Sequence, residues 1–414
     1  MISTVFVFVI CKLYLLKGYS RSRHEQSLLP NCLPISAHAH LFIGSGLRKH
    51  RKTYARISKK AIQHNLKNEQ ARLGANCELF AVVKADGYGH GAVEIAKVAR
   101  DAGVTGFCVA LLGEALELRQ AGIREPILIL GIVDVAYVAI IAAEKLSVTV
   151  GSLEWLKKAK LKMKNQNNSL RIHIALDTGM GRIGFRTVSE LTEAENTVSD
   201  SKLFEFEGVY THFATADESD ETKFNKQLEI FNKLINKLKN KPRFIHVANS
   251  ATALWHQQIP TNLVRYGIAM YGLNPSGHAL ISPVSLEPAM ELISELIQVK
   301  EIQPGDTVSY GATYEATDCE WVGTIPIGYA DGWRRSLQGQ TVLVDGQRCE
   351  IIGRVCMDQC MIRLPKEYPV GTTVVLVGKS GTDQVTMEEL AEHLDTINYE
   401  IICGITLRVP RIYV

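Results

Sequence analysis

Lys84 closes an apolar, β-branched run that starts at Leu79, and the chain then breaks into Asp86-Gly87-Tyr88-Gly89-His90-Gly91. A lysine at a strand end either snorkels to water or, when desolvated, presents a neutral amine to a carbonyl. Other apolar runs end in the same polar fashion. "RIHIALD" leads into Thr178-Gly179-Met180-Gly181-Arg182, "FEGVYTHF" carries His212, "FIHVANS" ends on Asn249 and Ser250, and "VRYGIAMYG" holds Arg265, Gly267 and Tyr271. Taken singly, each has a plain structural explanation. Taken together, they bring an amine, a guanidinium, an imidazole and hydroxyl and amide donors to the ends of successive strands. One aldehyde-bearing, phosphorylated cofactor accounts for the set. Lys84 forms a Schiff base once burial and neighbouring cations lower its amine from the usual ~10.4. Ser250, amides near Gly267 and tyrosine hydroxyls hold a phosphate without a Walker loop. Arg265 faces a ring nitrogen.

Something must carry these residues to one face. From about Thr53 apolar runs alternate with helix-like stretches: "GAVEIAKVARDAG" closes on Gly103, and "GEALELRQAG" on Gly122. Eight strand candidates, most of them continuously hydrophobic as in a parallel sheet covered on both faces, predict a (β/α)8 TIM barrel. Its polar strand ends converge on the C-terminal face, where such barrels build their sites. After Pro288 short strands broken by Pro-Gly and Asp-Gly turns take over, with Asp345-Gly346 a type I′ hairpin turn and "TMEELAEHLDTI" the one helical stretch. The expected architecture is α/β: residues 1–52 an N-terminal extension, unstructured or outside the native protein, 53–286 the barrel, and 287–414 a mostly β C-terminal domain.

The bulk numbers narrow the function further. The chain has 414 residues and a net charge of +3, but residues 1–52 hold eight Lys/Arg against one acid. The remainder is slightly acidic, which argues against a nucleic-acid surface. "VFVFVICKLYLL" is too short for a membrane span and makes a poorly formed signal peptide. Nine scattered cysteines without a CxxC pair suit a reducing, cytoplasmic setting. Cys356 and Cys360 lie in an alternating strand-like run and read as core thiols, so no metal is expected.

Seven segments, "AVVKADGYGHG", "LDTGMGRIGF", "GVYTHFATAD", "VRYGIAMYGL", "VSYGATY", "PIGYADG" and "GRVCMDQCMI", closely resemble the bacterial alanine racemases in order and spacing. These are pyridoxal-phosphate enzymes built of a barrel plus a β domain, and the resemblance runs from about Thr53 to Val414. It implies that Lys84 is the Schiff-base lysine and one of two catalytic bases, and that Tyr310 is the opposite base, supplied across a homodimer interface. Tyr88, Ser250, Gly267, Ile268 and Tyr399 match cofactor phosphate positions, with Asn249 beside them. His212 matches the residue stacked on the ring, and Arg265 the partner of its nitrogen. Arg182 and Met357 match contacts to the substrate carboxylate, and Asp358 and Tyr329 line the approach from the second subunit. The implied reaction interconverts L- and D-alanine, supplying D-alanine for peptidoglycan.

The chemistry is consistent with that assignment. Racemisation removes a proton from one face of Cα and returns one to the other, so two bases must flank the substrate. An arginine at the ring nitrogen gives up no proton and leaves the ring a weaker electron sink. The family's decarboxylating architectural relatives put a glutamate there, and a lone-barrel cofactor carrier has no β domain. One departure stands out. Where much of the family has a carbamylated lysine beside the carboxylate-binding arginine, this chain has Ala175, so a chloride near Arg182 is expected in its place.

Overall fold

The computed structural model describes residues 51–164, 166–256 and 258–414. Its first strand, β1 (Tyr54–Ile57), is followed by a helix, Lys59–Gln70. Then come eight parallel strands: β2 (Glu78–Val82), β3 (Gly106–Val109), β4 (Ile127–Ile129), β5 (Ser147–Val150), β6 (Leu170–Ala175), β7 (Phe204–Tyr210), β8 (Phe244–His246) and β9 (Leu263–Tyr266). They pair in chain order from β2 to β8, with β9 against the free side of β2. The ring closes between β8 and β9 through Asn262 N–H to the Ile245 carbonyl and Arg265 N–H to the Ala248 carbonyl, both at 3.0 Å. This is the expected barrel. Its strands are apolar throughout because helices cover one face and the barrel core the other.

Between strands, helices such as Ala92–Asp101 and Leu112–Gln120 return the chain to the N-terminal rim. Gly103 and Gly122 follow these two helices at φ of 91° and 89°, the left-handed exit that glycine adopts without a Cβ clash.

The region from Met290 onward supplies all but one strand of a ten-stranded sheet and both strands of a separate two-stranded one. Its strands include β10 (Met290–Glu295), β11 (Gln298–Ile302), β12 (Thr307–Val308), β13 (Tyr314–Glu315), β14 (Glu320–Ile325), β15 (Thr341–Val344), β16 (Gln347–Ile352), β17 (Cys360–Leu364), β18 (Thr373–Ser380), β19 (Asp383–Val385) and β20 (Arg411–Tyr413). The main path runs β11-β14-β17-β16-β15-β18-β10-β1-β20. Asp345 and Gly346 turn the β15–β16 hairpin at φ of 51° and 75°, as a type I′ turn requires.

Two differences from the sequence reading bear on the site. First, β1 is not part of the barrel: it pairs antiparallel with β10 and parallel with β20. Arg51 reinforces this tie, donating from Nη1 and Nη2 to the two carboxylate oxygens of fully buried Asp331 at 2.7 and 2.6 Å. Expectations for residues 1–50 lie outside the described residues. Second, the β region holds another helix, Asn398–Gly404, and it is this helix that carries Tyr399. Among the described residues no helix is long and apolar enough to cross a membrane.

Candidate active site

The C-terminal strand ends open into a cavity of about 520 Å³. Lys84, Tyr88, Arg182, His212, Asn249, Ser250, Arg265, Gly267, Ile268 and Tyr399 all line it, nine of the expected residues from the barrel and Tyr399 from the β region. Lys84 reaches it from an unusual backbone. Ala85, Asp86, Gly87 and Tyr88 have φ of 52°, 53°, 61° and 52°, one left-handed helical turn closed by Gly87 N–H to Val83 O and Gly89 N–H to Ala85 O. For the three residues with a Cβ this costs roughly 1–2 kcal/mol each, strain of the kind that persists where surrounding structure enforces it. Glu114 does much of the enforcing. Its carboxylate accepts from Ala85 N–H at 2.7 Å and from Ala110 and Leu111 N–H at 2.7 and 3.0 Å. Asp86 Oδ1 adds an acceptor for Ala92 N–H at 2.8 Å. The reversed turn sends Tyr88 back over the barrel mouth, its ring centroid 4.9 Å from that of Tyr271.

Electrostatics suit an amine nucleophile. Burial first, and the charge of Arg182 second, hold the Lys84 amine below the ordinary lysine range. Burial, with Arg265, Arg182 and Lys84 nearby, pushes His212 down to about 3, so its ring is neutral. Burial raises the Tyr88 and Tyr399 phenols, which stay protonated as donors.

Arg265 is fully enclosed. Nη1 donates to His246 Nδ1 at 2.7 Å and to the His246 carbonyl at 3.1 Å, and Nη2 to the Thr211 carbonyl at 3.0 Å. His212 Nδ1 stands 3.4 Å from Nη2. The Nε–H is left without an acceptor among the described residues, although the residue is only 3 % exposed and lines the cavity. Ser250 Oγ accepts from Gly267 N–H at 2.9 Å, and a Cβ placed on Gly267 would stand 2.8 Å from Tyr88 Oη. A half-buried amine, an unanswered guanidinium N–H and a cradle of hydroxyls and close backbone fit a phosphorylated pyridine aldehyde.

Other expected residues stand as follows in the single chain. Asn249 lines the cavity, but its side chain caps the helix Ser250–Trp255, accepting from Thr252 N–H at 2.9 Å. Arg182 is exposed in the single chain rather than desolvated, and no carboxylate pairs with it among the described residues. Ala175 is buried at the end of β6. Tyr310, Met357, Asp358 and Tyr329 do not line the Lys84 cavity. Tyr310 is 69 % exposed and Met357 52 %. Ser309, Gly311 and Ala312 around Tyr310 all have left-handed φ, and the Ser309 hydroxyl anchors this strained turn on the Arg354 carbonyl. Asp358 accepts from Arg408 at 2.6 Å.

Sequence reasoning missed Glu114, whose signal was a carboxylate at the start of a helix beside the lysine turn, and Cys403, which lines the cavity from the unexpected helix. It also missed the polar residues behind Arg265.

Comparison with known proteins supplies the family. Models of the alanine racemase N-terminal and C-terminal domains match residues 57–275 and 289–413. The chain is 56 % identical over 364 residues to an alanine racemase of Pediococcus pentosaceus, covering 88 % of this chain and 97 % of that one. One from Levilactobacillus brevis is 52 % identical over 366 residues, covering 88 % and 98 %. Among solved structures, alanine racemase from E. faecalis superposes with a TM-score of 0.87 at 54 % identity, over 88 % of this chain and 99 % of that one. A histidine racemase from Leuconostoc mesenteroides reaches 0.84 at 35 % identity, over 88 % and 98 %. With both domain models matched in order and relatives above half identity across nearly their whole length, the chain belongs to the alanine racemase family.

Proposed function

We propose that the protein interconverts L- and D-alanine by a two-base mechanism, in a composite site completed by a second copy of the chain. Pyridoxal phosphate, when bound, supplies an aldehyde for imine exchange with amines and a ring that withdraws electron density from the substrate Cα. Lys84 would hold the group and would move a proton at its Nζ on one face of Cα. Tyr310 of the partner subunit moves a proton at Oη on the other. Tyr88, Ser250, Tyr399 and the amides of Gly267 and Ile268 would hold the phosphate; Arg265 would offer Nε–H to the ring nitrogen, and His212 would lie against the ring. Arg182 and the partner's Met357 receive the substrate carboxylate, while the partner's Asp358 and Tyr329 line the approach.

The observation that carries this reading is the pairing of the half-buried Lys84 amine with the unanswered Nε–H of Arg265 in one cavity. A cation at that position, in place of a carboxylate, favours proton return over other fates of the Cα electrons. A small anion, chloride by its size, is proposed to steady Arg182 where Ala175 leaves space. The cysteines of the described residues, all free thiols, support a reducing, cytoplasmic setting.

Assaying the purified protein with both enantiomers of alanine, serine and histidine tests the substrate. Racemisation of alanine well above the others supports the reading; preference for histidine would move the protein beside its other structural relative. Borohydride reduction followed by peptide mapping should place the cofactor on Lys84.

A further inference from the structure

A buried line of side chains runs from Arg265 away from the cavity. Arg265 Nη1 stands 2.7 Å from His246 Nδ1, His246 Nε2 2.8 Å from His173 Nδ1, and His173 Nε2 3.0 Å from Glu207 Oε2. All four residues are at most 5 % exposed. A guanidinium only donates, so His246 accepts at Nδ1 and carries its proton on Nε2. That proton makes His173 Nδ1 an acceptor, with its own proton on Nε2 facing the carboxylate. Every link therefore points from Arg265 to Glu207, through two neutral imidazoles of one tautomer. Burial, then the charge of Arg265, holds His246 well below its ordinary range. The Ser147 hydroxyl donates to the same Glu207 oxygen, so Oε2 accepts from both partners.

The fold is built around this line. The β6–β7 register jumps from Ile172↔Phe206 to His173↔Gly208, so Glu207 is the extra residue of a β-bulge. A Cβ on Gly208 would overlap the His173 ring. The Tyr210 ring stacks on His246 with centroids 4.8 Å apart, and the Arg265 guanidinium lies 5.2 Å from the same ring. Arg171, 4.0 Å from the other Glu207 oxygen, is partly exposed and shared with Glu205 at 3.4 Å. Among the described residues no carboxylate touches Arg265 directly, and a buried charge without balance is costly.

We propose that Glu207 is the remote counter-charge of Arg265 and, with His173 and His246, forms a positioning chain that holds the Arg265 Nε–H aimed into the cavity. The charge is balanced while the carboxylate stays too distant to hand a proton to a ring nitrogen there. The proposal rests on the reading that Arg265 faces the cofactor ring.

Nitrogen-15 NMR of the histidine-labelled holoenzyme tests the chain directly. Both His173 and His246 should be neutral, protonated at Nε2, with the His173 N–H proton strongly downfield. Either imidazole doubly protonated, or protonated at Nδ1, would overturn the proposal even if no variant folds. Glu207→Gln, near-isosteric, should move the His173 proton upfield and the His246 proton with it. It should also weaken pyridoxal phosphate binding and lower kcat, each by roughly 10–100-fold, the scale for losing the outer partner of an oriented imidazole. KM for alanine should hold. Glu205→Gln, on the same strand but exposed, should change none of these. A Glu207→Gln protein in which only the His173 signal moves, with cofactor affinity and kcat at wild-type values, contradicts the proposal. A wild-type protein with no racemase activity would instead remove the functional reading, while the NMR result still judges the chain.

Discussion

Among the described residues, Lys84→Ala removes the only lysine lining the cavity. Racemisation should fall by roughly 10³-fold or more in both directions, and borohydride should no longer attach the cofactor to the chain; trapping at another lysine would refute the assignment. Tyr310→Phe should instead be one-sided, keeping the attached cofactor while losing deuterium wash-in on the face presented by L-alanine. Wild-type exchange from both enantiomers would mean that Tyr310 is not the second base. Away from the site, Glu69 is 1 % exposed, and burial, opposed by Arg72 3.6 Å away, raises it to about 7 from 4.5. The folded state then binds more protons than the unfolded state between those values, so this group's contribution to stability falls as pH rises through them. Glu69→Gln should raise Tm at pH 8, by roughly 2–3 kcal/mol of stability, and leave it nearly unchanged at pH 4. An equal shift at both values in thermal melts would rule out that linkage.

The left-handed turn after β2 is the element on which the site depends most. Its restraint by Glu114 makes Glu114→Ala informative: three N–H groups lose one shared acceptor, and roughly 1–3 kcal/mol of stability should go with them. If the turn also positions Lys84, kcat should fall while the fold persists; thermal melts together with steady-state kinetics separate the two effects. Strand and helix elements of the barrel were largely legible, because continuous apolar runs, polar strand ends and helix-closing glycines are local signals. The turn was not: "KADGYGHG" announces a bend, but nothing local says that alanine, aspartate and tyrosine will share glycine's side of φ space. Nor did Tyr54–Ile57 betray that it pairs with strands more than two hundred residues away, since such pairing is decided by tertiary contacts. Tyr399 was found by its motif, whereas the helix beneath it was missed in a region dominated by β patterning. Of the site, residues at strand ends could be read directly. Glu207 and His173 could not, because a polar residue inside an apolar strand declares its partners only once the barrel closes.

At the scale of the molecule, the residues of the proposed site fall in two separate regions of the chain. The barrel gathers Lys84, His212, Arg265 and the phosphate cradle, while the β half displays Tyr310, Tyr329 and Met357 on its surface. Leu111 and Ile132 are likewise exposed, at 64 % and 47 %, the latter on the cavity lining. In the proposed dimer a second copy, docked so that each β region covers the other's barrel mouth, would answer both surfaces at once and bury the exposed Arg182. Chloride belongs at this scale too. With the mouth covered, adding chloride to an acetate buffer should raise turnover, bicarbonate should not, and Ala175→Lys should abolish the response; turnover indifferent to chloride would reject the anion. The composite site is tested most directly by mixing Lys84→Ala and Tyr310→Phe chains, each inactive alone, under conditions of demonstrated subunit exchange. Each hybrid dimer then contains one site with both bases and one with neither. Alanine racemisation should return to about a quarter of the wild-type rate per chain, since half of the dimers are hybrids with one working site of two. Exchange without recovery of activity would contradict the account, because each chain would then have to build its site alone.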